Sequence, residues 1–462
     1  MSIEIRNPAN PTLVVSTYAV TLESELDTVV AKAIAAQLAW AKTPQTERGR
    51  LVGQYIDALE MRGEEIAESI TLEMGKTLNE SRGEVGKSIA EARMSEQRAG
   101  AATGELFPSQ IPGVTAHTMR RPRGVVLGIT PWNFPFGTPM RKSIPALVYG
   151  NAILLKPASQ TPGAVTLMTE IAEGILPNGL IQAVIGSGAL ANSLCHHVGV
   201  QAVSFTGSVE VGKKVAAAAV SHLAEVSLEL GGKNPVILND ASELDTALNQ
   251  IFAAAFALCG QRCTAISRVI VHRDLLAQTI EGLAKRAAAI IPTDGTADGA
   301  LMGPMSSEQQ LIEVEGFVLR AKEAGATIAA GGQRLSTASG GYFYLPTILS
   351  DVTKDMEAAR EEIFGPVLSI LSYTTIDEAL HIANDVAYGL TSCLFSEQSP
   401  VIERFIAESE SGMLHVNAGS FPENHLPFIG IKDSALGVGG SNGSSTIQFY
   451  TTEHAVYRKG HA

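Results

Sequence analysis

Apolar and polar positions follow two different periods along this chain. Between residues 22 and 102, apolar residues recur every three or four positions, which predicts amphipathic helices. From residue 120 onward, short apolar runs such as GVVLGIT, AILLKPA and AVSFTGS alternate with helical stretches. This alternation predicts βαβ units and a parallel sheet, whose ligands lie at the carboxyl ends of the strands.

A second alternating series begins at KNPVILND and ends near residue 420 with GMLHVNAG. Two such series predict two α/β lobes with a cleft between them, to which motifs from both lobes contribute. The tail after Gly437 is rich in Gly and Ser and then becomes strand-like, with no obvious partner strand in either lobe.

Composition limits the partners and the compartment. The chain has 462 residues, 45% apolar and 18% charged, which is typical of a globular protein of two or three domains. Its net charge of -13 disfavours a nucleic-acid partner. The N-terminus does not resemble a signal peptide, no apolar run is long enough for a bilayer span, and four cysteines show no disulfide framework. We therefore expect a cytoplasmic location and no membrane partner.

Two cysteines lie four residues apart in the segment FALCGQRCTAIS. Cys263 adjoins Arg262 and follows Gly260 and Gln261, so a turn and a positive charge favour the nucleophilic thiolate. The alternative for Cys263 is burial as a small hydrophobe, which suits Cys259 better because it follows an apolar run. The spacing lacks a second ligand pair, so we expect no metal site.

Several polar residues lie at strand ends or turns. Glu229 ends an apolar run before two glycines, and is either a solvated carboxylate or a general base. Asn133 lies between Trp132 and Phe134, where its amide either shapes a turn or donates to a developing oxyanion.

Other motifs could hold a nucleotide. Gly207 and Gly212 lie at a strand-to-helix junction suited to a phosphate, although neither dinucleotide fingerprint nor P-loop is present. Lys156 ends a strand, and Ser159 stands where an acidic residue would repel a 2′-phosphate. The segment REEIFGPV either reaches a cofactor from the second lobe or simply ends a helix.

Seven motifs, in this order, resemble those of the NAD(P)-dependent aldehyde dehydrogenase superfamily: PWNFP, KPASQTP, FTGSVEVG, LELGGKNP, GQRCTA, EEIFGPV and LPFIGIKDSALG. The resemblance covers residues 6 to 455. It implies that Cys263 is the nucleophile, Glu229 the general base and Asn133 the oxyanion donor. The residues it implies for cofactor binding are Thr130, Pro131, Trp132, Lys156, Ser159, Gly207, Ser208, Gly212, Leu230, Glu362 and Phe364.

The resemblance also implies the fold class and the domain plan. The expected fold is α/β, with a Rossmann-like cofactor domain (1–111 and 124–231), an α/β catalytic domain (232–436) and a small β oligomerisation flap (112–123 and 437–462). The flap would join copies into a homodimer or homotetramer. NADP is the expected cofactor because of Ser159, with NAD as the alternative.

The expected substrate is a small anionic semialdehyde, bound by Arg141 and Arg262. Arg141 matches an arginine of succinate-semialdehyde dehydrogenases, which places that substrate first, although Ala257 and Ala265 depart from that group. The segment GQRCTAISR is more similar to 2-oxoglutarate-semialdehyde and non-phosphorylating glyceraldehyde-3-phosphate dehydrogenases. A broad-specificity aldehyde dehydrogenase is a further alternative. For both arginines the competing interpretation is a structural salt bridge.

Three other activities are weighed against this one. A CoA-acylating dehydrogenase would need no general base at Glu229. A cysteine hydrolase or acyltransferase would need a His base, and none of the ten histidines lies in a motif that pairs with Cys263. A non-catalytic role is disfavoured because both nucleophile and base are present.

Overall fold

The computed structural model describes residues 1–101, 103–438 and 442–460, with the side chain of Ser444 excluded. The chain begins with an antiparallel hairpin, followed by the helices that the 3.6-residue period predicts between residues 22 and 102. These elements are β1 (Ser2–Asn7), β2 (Asn10–Ala19), α1 (Leu26–Trp40), α2 (Gln45–Met61), α3 (Gly63–Met74) and α4 (Leu78–Gln97). Helix α3 ends at Gly75, whose φ of 94° suits a residue without a side chain.

Helix α4 begins with a capping box. The Thr77 hydroxyl accepts the backbone N–H of Glu80 at 3.2 Å, and the Glu80 carboxylate accepts the N–H of Thr77 at 2.9 Å. The buried face of α4 is unusually polar, since it carries Ser81, Glu84 and Ser88. Polar residues at core positions require partners, and those partners belong to the site described below.

A six-stranded sheet forms the core of the first α/β region. Its order is β19-β9-β8-β5-β6-β7, with parallel pairing except for β19. The elements from residue 106 to 229 are β3 (Leu106–Phe107), β4 (Val114–Pro122), β5 (Val125–Ile129), α5 (Gly137–Val148), β6 (Ala152–Lys156), α6 (Gly163–Ala172), β7 (Ile181–Ala183), α7 (Gly188–Cys195), β8 (Ala202–Thr206), α8 (Val209–Val220) and β9 (Glu225–Glu229). The β5 and β6 strands are buried along their whole length, as expected of a parallel sheet covered on both faces.

A seven-stranded sheet forms the second region, in the order β12-β13-β14-β11-β10-β16-β17, with only β12 antiparallel. Its elements are β10 (Asn234–Leu238), α9 (Leu244–Phe256), β11 (Ile266–His272), α10 (Leu276–Ala288), α11 (Glu308–Glu323), β12 (Thr327–Ala330), β13 (Thr347–Ser350), α12 (Glu357–Arg360), β14 (Val367–Tyr373), α13 (Ile376–Asn384), β15 (Tyr388–Gly389), β16 (Thr391–Phe395), α14 (Ser399–Glu408) and β17 (Met413–Val416). Each large sheet has its own apolar core, which agrees with the predicted α/β class.

The C-terminal segment differs in part from its strand-like prediction. It contains β18 (Ile431–Lys432), β19 (Ala435–Gly437), α15 (Thr446–Tyr450) and β20 (Thr451–Lys459). The prediction of an extended stretch is wrong for residues 446–450. They form a helix because Thr446, Phe449 and Tyr450 share one buried face at helical spacing.

A three-stranded antiparallel sheet, β20-β4-β3, joins the terminal strand to the segment before β5. The terminal strand therefore has a partner outside both large sheets, namely β4, along nine residue pairs. Two strands cross the predicted domain boundaries. Strand β3 lies before residue 112 but pairs with β4 of the predicted flap, and β19 lies after residue 231 but joins the six-stranded sheet. Residues 439–441 and 461–462 of the predicted flap lie outside the described residues. The domain ranges stay a prediction.

Arg268 is a buried cation that connects two parts of the second region. It lies on β11, is 1% exposed, and donates to the Lys233 carbonyl at 2.9 Å and to the Ile382 and Ala383 carbonyls at 2.9 Å each. Burial lowers its pKa to about 9. The guanidinium thus satisfies carbonyls at the end of α13 that helix geometry leaves without partners.

Within the described residues, no helix combines the length and apolar character needed to cross a bilayer.

Replacing Arg268 with Met should destabilise the protein by about 3 kcal/mol. Three buried carbonyls would lose their donors at a cost of about 1 to 3 kcal/mol each, and removing a buried charge would offset only part of this cost. The measurement is the midpoint of thermal and urea unfolding. The matched control is Arg404→Met, since Arg404 is exposed and its salt bridges with Glu408 and Asp377 are screened by solvent. Equal midpoint shifts for the two variants would contradict the role given to Arg268.

Candidate active site

A cavity of about 600 Å³ lies between the two large sheets. All three residues expected to be catalytic line it, namely Asn133, Glu229 and Cys263. The other predicted residues that line it are Pro131, Arg141, Gly207, Ser208, Leu230, Arg262, Glu362 and Phe364. Thr130, Trp132, Lys156, Ser159 and Gly212 do not line this cavity. The structure therefore brings together predicted residues that are up to 233 positions apart in the chain, from Pro131 to Phe364.

Cys263 lies in a short irregular loop between α9 and β11. Before it, Leu258 and Cys259 have φ angles of 54° and 55°, and Gly260 has a φ of 67°. A side chain at Gly260 would bring a Cβ within 2.2 Å of the Gly365 carbonyl oxygen. The close approach of these two backbones therefore requires glycine and brings the EEIFGPV segment beside the cysteine loop. Consecutive left-handed residues are costly, and such strain is concentrated at functional sites.

The backbone after Cys263 is held by a buried asparagine at the start of β10. The Asn234 amide donates to the Cys263 carbonyl at 2.7 Å and to the Ala265 carbonyl at 2.8 Å. On the other side, the Ser420 hydroxyl donates to the Thr264 carbonyl at 2.6 Å. These bonds satisfy carbonyls that no strand or helix pairs, so the position of the cysteine is well determined.

Asn133 follows β5 and is 4% exposed. Its side-chain nitrogen donates to the Gln261 carbonyl at 2.9 Å, two residues before Cys263. A primary amide has two N–H groups, so the second remains available to a ligand in the cavity. The geometry therefore connects the expected oxyanion donor directly to the cysteine loop.

A buried ion pair holds the Asn133 segment, which runs from residue 133 to residue 137. Lys76 and Glu84 are 2.6 Å apart, with side chains 0% and 2% exposed. Lys76 also donates to the Asn133 carbonyl at 2.6 Å, and Glu84 accepts the backbone N–H groups of Phe136 at 3.0 Å and Gly137 at 2.8 Å. The carboxylate thereby satisfies free N–H groups at the start of α5. Both ends of the Asn133 segment are held by this one pair.

Glu229 ends β9 and is 6% exposed, so it is not a solvated carboxylate. One carboxylate oxygen, Oε2, accepts the Thr206 hydroxyl at 3.2 Å. The other, Oε1, is buried and has no hydrogen-bond partner among the described residues. A buried carboxylate oxygen without a donor is uncommon in folded proteins, and it leaves an acceptor ready for a proton or a water molecule.

The thiol of Cys263 does not have the lowered pKa that its neighbours in sequence predict. Burial, followed by the negative charges of Glu362 and Glu229, raises its pKa to about 12, and Arg262 and Arg141 offset only part of this. Arg262 acts on this pKa in the expected direction, but the net lowering that its position predicts is not found. The positive charge is present, but the buried surroundings and two carboxylates outweigh it.

The second cysteine of the pair has a packing role. Cys259 is 1% exposed and belongs to the apolar core of the seven-stranded sheet, where its sulfur lies 3.7 Å from that of Met305. All four cysteines are free. No three His, Cys, Asp or Glu side chains among the described residues are grouped closely enough to hold a metal ion.

The carboxyl ends of four adjacent strands, β6, β5, β8 and β9, form the edge above which a nucleotide can bind. Lys156 ends β6 and is 5% exposed, and among the described residues its ammonium donates only to the Pro157 carbonyl, at 3.0 Å. Burial lowers its pKa to about 8. Thr130 follows β5, and its buried hydroxyl has no partner in the described part of the chain. Such unused polar groups at a strand edge suit a polar ligand.

The start of α8 adds a helix N-terminus to this edge. Gly207 and Ser208 precede the helix, and the Ser208 hydroxyl caps it by accepting the N–H of Val211 at 3.4 Å. Gly212 lies one turn into α8, against the side chain of Leu230, where a Cβ would come within 2.5 Å. Gly212 is thus a packing position that lets α8 approach the Leu230 segment, while the helix start is suited to a phosphate.

Residues from the second region close the cavity. Glu362 accepts the N–H of Gly232 at 3.1 Å, and burial raises its pKa to about 7 despite that bond and the charge of Lys233. Phe364 packs edge-on against Trp132, with ring centroids 5.4 Å apart. The contact joins the segment after β5 to the segment before β14, so Trp132 shapes the cavity wall through Phe364.

The two arginines expected to bind substrate have different surroundings. Arg141 forms a bidentate salt bridge with Glu91, with N–O distances of 2.7 and 3.0 Å. Arg262 donates to the Thr264 hydroxyl at 3.2 Å and makes no salt bridge with any carboxylate in the described part of the chain. Arg141 therefore makes the salt bridge of the competing interpretation and Arg262 does not, while the substrate role of both arginines stays a prediction.

Sequence reasoning missed the residues that hold the site together. Lys76 and Glu84 lie outside the seven motifs, in the region 22–102 for which the pattern predicts helices and no function. Asn234 lies within LELGGKNP, where the resemblance implies roles only for Glu229 and Leu230. A signal was nevertheless present, because Ser81, Glu84 and Ser88 occupy the core-facing positions of α4. Polar residues on the face that should be apolar indicate a partner of equal polarity, although they do not say which one.

The chain is similar to known proteins along almost its whole length. The model of the aldehyde dehydrogenase family matches residues 1–456. An alpha-ketoglutaric semialdehyde dehydrogenase of Bacillus subtilis is 38% identical over 99% of this chain and 94% of its own length, and an alpha-ketoglutarate semialdehyde dehydrogenase of Haloferax volcanii is 36% identical over 98% and 95%.

Solved structures agree with this assignment. The betaine aldehyde dehydrogenase of Staphylococcus aureus, crystallised with NAD+, has a TM-score of 0.96 and 29% identity, with 99% of this chain and 92% of that chain covered. The lactaldehyde dehydrogenase of Escherichia coli has a TM-score of 0.96 and 32% identity, with 100% and 96% covered. The resemblance inferred from the seven motifs is confirmed, and the chain belongs to the aldehyde dehydrogenase family.

Proposed function

We propose that this enzyme oxidises a small anionic semialdehyde to the corresponding carboxylic acid. The observation that carries the proposal is that Cys263, the free Oε1 of Glu229 and the amide of Asn133 line one cavity together with the unpaired cation Arg262. We place 2-oxoglutarate semialdehyde ahead of succinate semialdehyde. The names of three relatives at 38%, 36% and 34% identity, which are alpha-ketoglutarate semialdehyde or 2,5-dioxopentanoate dehydrogenases, support this order.

Other relatives bear names of a different substrate class. Betaine aldehyde and 4-trimethylaminobutyraldehyde dehydrogenases are 35% and 36% identical to this chain, and both of these aldehydes carry a quaternary ammonium group. Similarity alone therefore does not select the charge of the substrate. Arg262 supports the anionic class, because a cation in the cavity attracts a carboxylate and repels an ammonium group.

The reaction begins with the thiol of Cys263. Because its pKa lies far above neutral, the proton must pass to a base before the sulfur can attack. Glu229 is the preferred base, since its Oε1 has no donor among the described residues. The sulfur then adds to the aldehyde carbon, and the resulting oxyanion of the thiohemiacetal accepts hydrogen bonds from the second N–H of Asn133 and the backbone amide of Cys263.

A nicotinamide cofactor, when bound, accepts the hydride that leaves the thiohemiacetal carbon. Lys156, Ser159 and Ser208 would hold its ribose and phosphates, and Glu362 and Phe364 would contact it from the second region. Glu229 first releases the proton of the thiol to solvent; water then attacks the thioester on Cys263 while Glu229 takes a proton from the water, and this proton passes to the sulfur when the C–S bond breaks. The carboxylic acid leaves, and the thiol is restored.

We further propose that the protein acts in the cytoplasm as a homodimer or homotetramer joined through the three-stranded sheet. Four free cysteines support a reducing compartment. The exposed apolar side chains of Leu106, Phe107 and Tyr457 on that sheet support self-association.

Cys263→Ala should reduce aldehyde-dependent reduction of the nicotinamide cofactor by at least about a thousandfold, because the covalent intermediate cannot form. The measurement is the steady-state increase in absorbance of the reduced cofactor. Cys259→Ala is the matched control, since it makes the same chemical change four residues away in the core, and it should retain most of the activity. Turnover in Cys263→Ala at the rate of the control would rule out the assigned nucleophile.

Ser159→Glu should shift cofactor preference toward NAD by about tenfold or more, because a carboxylate there repels the 2′-phosphate of NADP. Ser159→Gln is the neutral control. The Ser159 hydroxyl donates to the Gly186 carbonyl at 2.9 Å, and both variants lose that hydrogen bond, so they differ only in charge. The measurement is the ratio of kcat/KM for NADP to that for NAD. The same ratio in both variants would place the 2′-hydroxyl end of the cofactor elsewhere.

A panel of aldehydes tests the substrate class. We expect kcat/KM for 2-oxoglutarate and succinate semialdehydes to exceed that for betaine aldehyde by about a hundredfold, because like charges in a desolvated site cost several kcal/mol. Each aldehyde is assayed with NAD and NADP, with and without CoA. Equal rates for betaine aldehyde would contradict the anionic class, and a requirement for CoA would favour an acylating dehydrogenase.

A further inference from the structure

Three cationic side chains line the cavity beside the helix α4, namely Lys87, Arg141 and Arg262. They come from three separate elements: α4, α5 and the cysteine loop. Any of them could attract the anionic group of a substrate. What distinguishes them is whether another side chain already neutralises the charge.

Arg141 is already paired with a carboxylate of the protein. Its Nε and Nη2 both donate to the Glu91 carboxylate, at 2.7 and 3.0 Å, and the two side chains are only 16% and 10% exposed. The guanidinium also lies over the ring of Phe428, 5.1 Å from its centroid. The pair uses two of the five N–H donors of the guanidinium and neutralises its charge, so a second carboxylate gains less at Arg141 than at a cation without a counterion.

Lys87 lies one turn before Glu91 on α4, and its ammonium remains without a carboxylate. Its only hydrogen bond is to the Pro422 carbonyl, at 2.8 Å, and it makes no salt bridge within the described residues. Partial burial and the charges of Arg141 and Arg262 lower the pKa of Lys87, while Glu91 and Glu423 act in the opposite direction. An anion placed near Lys87 and Arg262 would relieve the repulsion between them.

Arg262 is held against the same segment of backbone as Lys87. It donates to the Ser420 carbonyl at 3.5 Å, two residues before the carbonyl that Lys87 contacts. Burial lowers the pKa of its guanidinium, and the charges of Cys263 and Glu80 oppose that effect. The segment 420–422 therefore contacts both cations, Lys87 is close enough to Arg262 for their charges to interact, and neither has a carboxylate partner among the described residues.

We propose that Lys87 and Arg262 together bind the anionic group of the substrate, whereas Arg141 is a positioning residue neutralised by Glu91. The ligand class is a carboxylate borne on a short aldehyde. This inference rests on the proposed function and adds a specificity residue, Lys87, that lies in the N-terminal helices and outside every recognised motif.

The experiment compares two substrates of the same shape that differ in charge. In butanal a methyl group replaces the carboxylate of succinate semialdehyde, so the ratio of kcat/KM for succinate semialdehyde to that for butanal isolates the contribution of the anion. We expect Lys87→Met to lower this ratio by about tenfold or more, chiefly through KM for the semialdehyde. Arg93→Met, which changes a half-buried cation on the same helix outside the cavity, should leave the ratio unchanged.

A double variant tests the competing assignment without changing the net charge. Arg141→Met with Glu91→Met removes the salt bridge as a unit, and should lower the ratio much less than Lys87→Met does. A larger loss in the double variant than in Lys87→Met would overturn the proposal and assign the anion to Arg141. Oxidation of butanal reports whether each variant is folded and active.

The two levels of failure are distinguishable. An enzyme that oxidises neither aldehyde would contradict the proposed function itself. An enzyme that oxidises both, but whose Lys87→Met variant lowers both kcat/KM values equally, would contradict only the role of Lys87.

Discussion

The site depends on one constraint, which is that a buried irregular loop must have its backbone polar groups satisfied by side chains. The loop from Ala257 to Ala265 is neither strand nor regular helix, yet most of it is buried. Glu80 accepts the N–H of Leu258 at 2.7 Å, and Asn133 and Asn234 donate to carbonyls further along. Because an unpaired buried peptide group costs roughly 1 to 3 kcal/mol, these side chains determine where the loop can lie. The position of the nucleophile therefore follows from polar groups contributed by three separate parts of the chain.

The N-terminal helices take part in the chemistry through the same kind of contact. The Lys76 and Glu84 pair holds both ends of the Asn133 segment, and Glu80 holds the start of the cysteine loop. Breaking a buried pair leaves an uncompensated charge, so such a pair specifies one arrangement more strongly than an apolar contact does. The helices thus contact and position segments from both large sheets that carry the residues proposed to be catalytic.

The charged side chains of the cavity form two groups. Around the thiol, burial and the charges of Glu362 and Glu229 raise the pKa of Cys263. Toward α4, Lys87, Arg141 and Arg262 bring three positive charges, of which Glu91 neutralises one. Arg262 belongs to both groups, since its charge lowers the pKa of Cys263 and it lies where an anionic substrate would bind. A substrate carboxylate bound there would in turn change the field that the thiol experiences.

The sequence by itself determined the two alternating α/β series, the strand-end positions of Glu229 and Lys156, and the family, because period and motif order are local properties that survive without coordinates. It also indicated Cys259 as a packing residue from the apolar run before it. The sequence did not determine which distant residues form pairs. Only the tertiary structure decided that Arg141 is neutralised by Glu91 while Arg262 is not, and that residues 446–450 form a helix. Burial and neighbouring charge depend on which segments meet in space, and nothing in the local sequence encodes that.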